Sequence, residues 1–250
     1  MTTLKGRTIL LTGASRGIGA AIARQAADLG AELFLHATGP GAAIEEVARE
    51  CSIPSSRLVF EDLSKPGAGA RLVARVLALT PRIDGVVNNA GVYADSSLTA
   101  DEAEWRGSWE TTLAVNLLAP ADICRAAIRH FREVGGGVVV NIASRAGHRG
   151  DSIDGAAYAA SKGGLLAMTK TFARQLAPEN MLFYAIAPGW VETRMAPKDV
   201  EARRRATAEI PLGRVADPEE IAAMACFLLS GVCASATGAT FDINGASYVR

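Results

Sequence analysis

Short apolar runs alternate with stretches of helical spacing from one end of the chain to the other. Arg7-Thr-Ile-Leu-Leu-Thr12 and Glu32-Leu-Phe-Leu-His36 are two such runs, brief and rich in β-branched or large aliphatic side chains. The pattern predicts strands at 7–12, 32–37, 57–61, 83–88, 137–142, 182–187 and 239–243. It predicts helices between them at 17–29, 42–51, 68–79, 101–133, 156–177 and 217–230. Regular β/α alternation specifies an α/β fold, doubly wound, with a seven-stranded and mostly parallel sheet carrying helices on both faces. Right-handed crossovers in such a sheet leave ligand groups at the carboxyl ends of the strands, near the point where strand order reverses.

The first strand-to-helix junction is Gly13-Ala-Ser15-Arg16-Gly17-Ile18-Gly19, and Gly30 closes the helix before the second run. Strand, glycine turn, helix and strand within about 30 residues are the setting a dinucleotide-binding, Rossmann-type turn requires. Gly13 permits the tight turn, Gly17 lets backbone approach a pyrophosphate, and Gly19 lets the helix pack closely on the sheet. The helix then presents free N–H groups and its positive dipole end to phosphate. The spacing is Gly-x3-Gly-x-Gly instead of the commoner Gly-x-Gly-x-x-Gly.

A second constellation lies in Gly155-Ala-Ala-Tyr158-Ala-Ala-Ser-Lys162-Gly-Gly164. Tyr158 and Lys162, four apart in a helical stretch, share one face a turn apart. A free phenol titrates near pH 10 and is a poor proton-transfer group at neutrality. A cation within roughly 4–6 Å is expected to lower that value by about 1–3 units, into a range useful for acid–base work. Isolated Tyr-x-x-x-Lys pairs are commonly a packed tyrosine beside a solvated lysine, and it is the glycine turn upstream that gives this pair its meaning.

Thr12-Gly-Ala-Ser-Arg-Gly-Ile-Gly19, Asn88-Asn-Ala-Gly91, Asn116, Ser144, Tyr158-x-x-x-Lys162 and Pro188-Gly189, in that order, resemble the motif set of the short-chain dehydrogenase/reductases. The resemblance runs from about residue 5 to about residue 243. It implies hydride transfer between a nicotinamide and a carbonyl carbon, with Tyr158 as proton donor or acceptor. Lys162 would tune Tyr158 and bind the nicotinamide ribose, and Ser144 would hydrogen-bond the substrate oxygen. Asn116 would be a helix-kink residue holding a water that links Lys162 to solvent; a buried helical asparagine without function is the plainer reading.

The resemblance also distributes the cofactor. Asn89, Ala90 and Gly91 would line it, Asn88 would bond neighbouring backbone, and Asp62 and Leu63 would meet the adenine edge. Asp62 equally suits a turn cap. Val191 N–H and the Thr193 hydroxyl, after Pro188 and Gly189, would hold the carboxamide. An acidic residue ending the second strand selects NAD; here the segment reads Leu35-His-Ala-Thr-Gly39, with Ala37 at that place. Arg16 and Thr38 could instead serve a 2′-phosphate, so NADP(H) is the expected cofactor over NAD(H).

The segment from Arg145 to Gly155 should wall the substrate pocket, with His148, Arg149, Asp151 and Asp154 making it polar or simply lying in a solvated loop. From Ser144 to Tyr158 is 14 residues, one more than close relatives would have. A partly helical lid is expected at about 190–210, where Glu201-Ala-Arg-Arg-Arg205 reads as a solvated face.

Composition narrows the partners. Lys+Arg and Asp+Glu balance at 26 each, which gives no field for nucleic acid or an anionic membrane. No run approaches 18 apolar residues and the first residues lack a signal-peptide core, so a cytoplasmic protein with a small-molecule substrate is expected. Cys51, Cys124, Cys226 and Cys233 form no Cys-x-x-Cys pair, and His36, His130 and His148 have no ligand spacing, so no metal is expected. No linker or charge block divides residues 1–250, which favours one domain.

Apolar helix residues Leu113, Leu117, Ile123, Ile128, Leu165, Met168 and Phe172 could cover the sheet. By resemblance they could also build a homodimer or homotetramer. Two other functions compete. A 3-oxoacyl-carrier-protein reductase would present basic turns before the fifth and sixth strands, whereas Gly135-Gly-Gly137 and Ala177-Pro-Glu-Asn180 are not basic. A non-catalytic NADP sensor would have lost Tyr158, Lys162 or Ser144.

Overall fold

The computed structural model describes residues 3–193 and 199–250. Seven strands form one sheet: β1 (Thr8–Leu11), β2 (Glu32–Ala37), β3 (Leu58–Phe60), β4 (Gly85–Asn88), β5 (Gly137–Ile142), β6 (Met181–Pro188) and β7 (Thr240–Ile243). Their order is β3-β2-β1-β4-β5-β6-β7, and every pairing is parallel. The strand order reverses between β1 and β4, the chain having gone one way to β3 before returning. A crevice at the carboxyl ends of those two strands is the consequence.

Strand side chains alternate faces, and two cores follow from that period. Ile9, Leu11, Leu33, Leu35, Val138, Val140, Tyr184 and Ile186 point to one side, against α1 (Gly17–Asp28), α2 (Ala42–Glu50) and α9 (Pro218–Leu229). Leu10, Phe34, Val59, Val86, Val139 and Phe183 point to the other. That side is covered by α3 (Ala68–Leu77), α5 (Ala119–Val134) and α7 (Ala156–Leu176). Ile123 and Ile128 belong to this second core, with Met168 and Phe172 packed against it, so these helix residues cover the sheet. Leu118, by contrast, is 59 % exposed.

The expected helix at 101–133 is α4 (Glu102–Leu113) running into α5 through one π turn, Ala114–Leu118. Pro120 explains the break: it has no N–H to offer the Asn116 carbonyl four residues back, and a wider turn accommodates the loss. Taken whole, Glu102–Val134 is long enough to cross a membrane by length and composition, yet in its α5 half Ile123, Cys124, Ile128 and Phe131 pack into the core of the sheet. The short α6 (Ala146–Arg149) carries no strong sequence signal, whereas α8 (Val200–Ala208) lies within the expected partly helical lid. Residues 194–198 of the expected lid lie outside the described residues.

Candidate active site

A cleft of 1970 Å³ opens at the carboxyl ends of the strands. Its glycine-turn wall is shaped by absent side chains. A Cβ on Gly19 would lie 2.2 Å from the Gly13 oxygen, and one on Gly13, at φ +64°, would lie 2.8 Å from the Ala90 Cα. Arg16 caps α1 in extended backbone with no side-chain hydrogen bond to the first turn, so the turn's donors stay available.

Three residues brace this turn. Thr12 Oγ1 donates to the Val87 carbonyl at 3.1 Å and accepts from the N–H groups of Asn89 and Ala90, each at 3.0 Å. The Asn89 amide donates to the Thr12 and Gly13 carbonyls at 2.9 and 3.0 Å. His36, on β2, accepts the Gly13 N–H at Nδ1 (3.3 Å), leaving Nε2 to donate to the Glu61 carbonyl at 2.9 Å. Burial holds its pKa below the ordinary value. It is therefore a neutral prop, a role that the sequence did not announce because Gly13 and His36 meet only through strand register.

Gly13, Ser15, Arg16, Gly17, Ile18, Gly19, Thr38, Asp62, Leu63, Asn89, Ala90 and Gly91 all line the cleft. Arg16 is exposed, and Ala37 closes β2 where no carboxylate stands. Asp62 caps its turn, Oδ1 accepting from Ser64 N and Oγ at 3.0 and 2.7 Å, and the residue also lines the cleft. Asn88 departs from expectation. Its amide donates to Asn141 Oδ1 at 2.8 Å, so it ties neighbouring side chains, not backbone.

Across the cleft stand Ser144, Tyr158, Lys162, Pro188, Gly189, Val191 and Thr193. Ser144 Oγ accepts the Ala146 N–H at 3.1 Å and hydrogen-bonds the Tyr158 hydroxyl. Lys162 Nζ is buried, donates to the Ile142 carbonyl at 2.8 Å, and lies 5.7 Å from the Tyr158 ring centre. Burial pushes the Tyr158 phenol up to about 12, only partly offset by the Ser144 hydrogen bond, and brings the Lys162 ammonium down to about 8. This reverses the sign expected from spacing. The ammonium is turned to a carbonyl, and loss of water at the cleft floor outweighs its attraction.

Asn116 is buried behind the cleft. Its amide clasps the Val92 backbone, accepting from N and donating to O at 2.9 Å each, and donates to Ser161 Oγ at 3.1 Å. Ser161 in turn donates to the Tyr158 carbonyl at 2.7 Å. The π turn thus grips both the loop after β4 and the helical turn that carries Tyr158 and Lys162.

Of the predicted polar wall, Arg149 and Asp151 line the cleft and are joined by Arg145, which sequence reasoning had passed over. His148 instead stacks on Tyr248 with ring centres 5.8 Å apart. The Asp154 carbonyl accepts from Ser96 N and Oγ, both at 2.8 Å.

The family model described as enoyl-(acyl carrier protein) reductase matches residues 13–246. The chain belongs to the short-chain dehydrogenase/reductase family. It is 33% identical over 252 residues to the 3-oxoacyl-(acyl-carrier-protein) reductase FabG of Aquifex aeolicus, covering 98% of each. A 3-oxoacyl-(acyl-carrier-protein) reductase of Agrobacterium tumefaciens, solved with NADP bound, superposes at a TM-score of 0.89 with 33% identity, over 98% of this chain and 95% of that one. The NADP complex of Pseudomonas aeruginosa RhlG gives 0.88 and 30%, over 99% and 98%. The chain is accordingly an oxidoreductase of the short-chain dehydrogenase/reductase type, acting between CH–OH and C=O groups.

Proposed function

We propose that this short-chain dehydrogenase/reductase is an NADP(H)-dependent carbonyl reductase or alcohol dehydrogenase for a small to medium organic substrate. The observation that carries the reading is the meeting of Ser144, Tyr158 and Lys162 at the floor of one cleft with the glycine turn. A bound nicotinamide would supply the hydride. The chain's own groups handle the oxygen: Ser144 orients it and Tyr158 delivers its proton. A phenol that burial keeps protonated suits the donor's part when a carbonyl is reduced. Lys162, charged below about 8, favours phenolate once the proton has left and would reach the nicotinamide ribose.

The residues present fit the cofactor. The glycine turn would take the pyrophosphate on the α1 N-terminus, and Asp62 and Leu63 the adenine. Gly91 would flank the nicotinamide, with Val191 and Thr193 at the carboxamide. The Arg16 guanidinium makes no hydrogen bond to the first turn of α1 and stands exposed, and with Thr38 it would hold the 2′-phosphate. The test is NADPH against NADH oxidation over a ketone and β-ketoester panel. NADPH-preferring turnover is expected, and NADH preference would contradict the Arg16 assignment.

A second reading, 3-oxoacyl-carrier-protein reduction, is favoured by the full-length likeness to enzymes of that name. Gly135 and Glu179, the latter paired with Arg132 at 2.6 Å, give an acidic carrier no basic turn to meet. A 3-oxoacyl thioester in the same panel separates the two. The reading also includes one cytoplasmic domain that pairs through the α4–α5 and α7 helices as a dimer or tetramer. Leu118, left 59 % exposed between α4 and α5, supports that surface.

A further inference from the structure

The cleft wall beside Ser144 carries a charge pattern that hydride and proton transfer leave unused. Arg145 follows Ser144 directly and is only 6 % exposed, although it lines the cleft. Its backbone N–H donates to the Pro188 carbonyl at 2.9 Å, which fixes the residue against the loop after β6. Within the guanidinium, Nη1 is buried with no hydrogen-bond partner among the described residues. Glu209 Oε2 stands 3.8 Å from Nη2, too far for a hydrogen bond, and the same oxygen lies 3.4 Å from Arg149. Arg149, one helical turn on, also lines the cleft.

Other charges there are largely committed. Glu192 is paired with Arg203, and Arg205 lies 3.7 Å from Glu201. Asp151 remains at the rim and attracts Arg145 from a distance. Two guanidiniums thus share one carboxylate, and a buried donor is left over. A buried, unsatisfied charged donor is costly and rare, and a guanidinium fork matches a carboxylate with two parallel hydrogen bonds.

We infer that Arg145 and Arg149 form an oxyanion-recognition site, and that the carbonyl or alcohol substrate carries a carboxylate or similarly compact anion near its reacting carbon. The inference rests on the proposed reading of the cleft as the substrate site. Glu209 holds the arginines in place and yields to the substrate's anion. A plain alkyl chain against this wall would leave Nη1 without an acceptor, so uncharged acyl chains are disfavoured.

The test uses NADPH with matched pairs: acetoacetate against methyl acetoacetate, and dihydroxyacetone phosphate against dihydroxyacetone. The two pairs distinguish carboxylate from phosphate as the anion. Calorimetric titration of valerate against valeramide into the NADP+-saturated protein reads binding without turnover. In the native protein the anion is expected to be favoured by about 10- to 100-fold in kcat/KM and to bind where the amide does not. The ratio should fall toward one in Arg145→Met, fall partway in Arg149→Gln should the first variant fold poorly, and rise in Glu209→Gln. Equal use of charged and neutral partners, or equal losses of both in Arg145→Met, overturns the inference and leaves the hydride chemistry standing. Arg145-dependent valerate binding without turnover of any carbonyl supports the anion site and contradicts the proposed reaction. Absence of both contradicts both.

Discussion

Arg16 is the side chain on which the proposed preference for NADP(H) rests. It stands exposed at the glycine turn, and the neighbouring strand ends in Ala37 with no carboxylate to repel a phosphate. Hydrogen bonds to a charged group contribute about 1.5–3 kcal/mol. Arg16→Ala should therefore weaken NADPH about 10- to 100-fold and leave NADH nearly unchanged, as read by fluorescence titration of both. Residues whose role depends on a local pattern, such as Gly19 or the Tyr158–Lys162 pair, were legible in the sequence. Residues whose role depends on tertiary register were not. His36 finds Gly13 only because β1 and β2 align, and the burial of Arg145 depends on the loop after β6 lying against it.

Among the elements, the π turn links fold to site most directly. A proline four residues after Asn116 breaks the α ladder, and the turn that results aims the Asn116 amide at Val92 and Ser161. Asn116→Ala strips three hydrogen bonds, the one to Ser161 fully buried, and leaves Val92 N–H without its acceptor. An unsatisfied buried group costs about 1–3 kcal/mol, so the thermal midpoint should fall, and turnover should fall further than stability alone explains. Unchanged turnover in a folded variant would contradict the positioning argument. The kinked helix was legible as one long helix bearing a polar residue. Its wider turn follows from Pro120, and α6, four residues long, is too short for periodicity to mark it.

For the whole molecule, seven parallel strands with helices on both faces bury their backbone and much of their titratable chemistry. His36, His130 and His148 all have pKa values lowered by burial. Above about 6.5 they are neutral whether folded or unfolded. Below it the unfolded chain takes up protons that the folded protein refuses, so stability falls as pH drops, by up to about 1.4 kcal/mol per pH unit for each histidine. Denaturation midpoints between pH 7.5 and pH 5, in about half-unit steps, should show this slope, and His36→Gln should flatten it. The strand and helix positions were legible because the short apolar runs of the strands and the glycine turn are local signals. The polar character of the substrate wall was legible in Arg149 and Asp151, but the sharing of Glu209 between Arg145 and Arg149 was not, since it arises where separate loops meet. The most direct test of the central claim compares the native protein with Tyr158→Phe for NADPH-dependent carbonyl reduction, with NADPH affinity measured alongside. The account predicts turnover reduced by about 10²- to 10⁴-fold with affinity retained; undiminished turnover would contradict it.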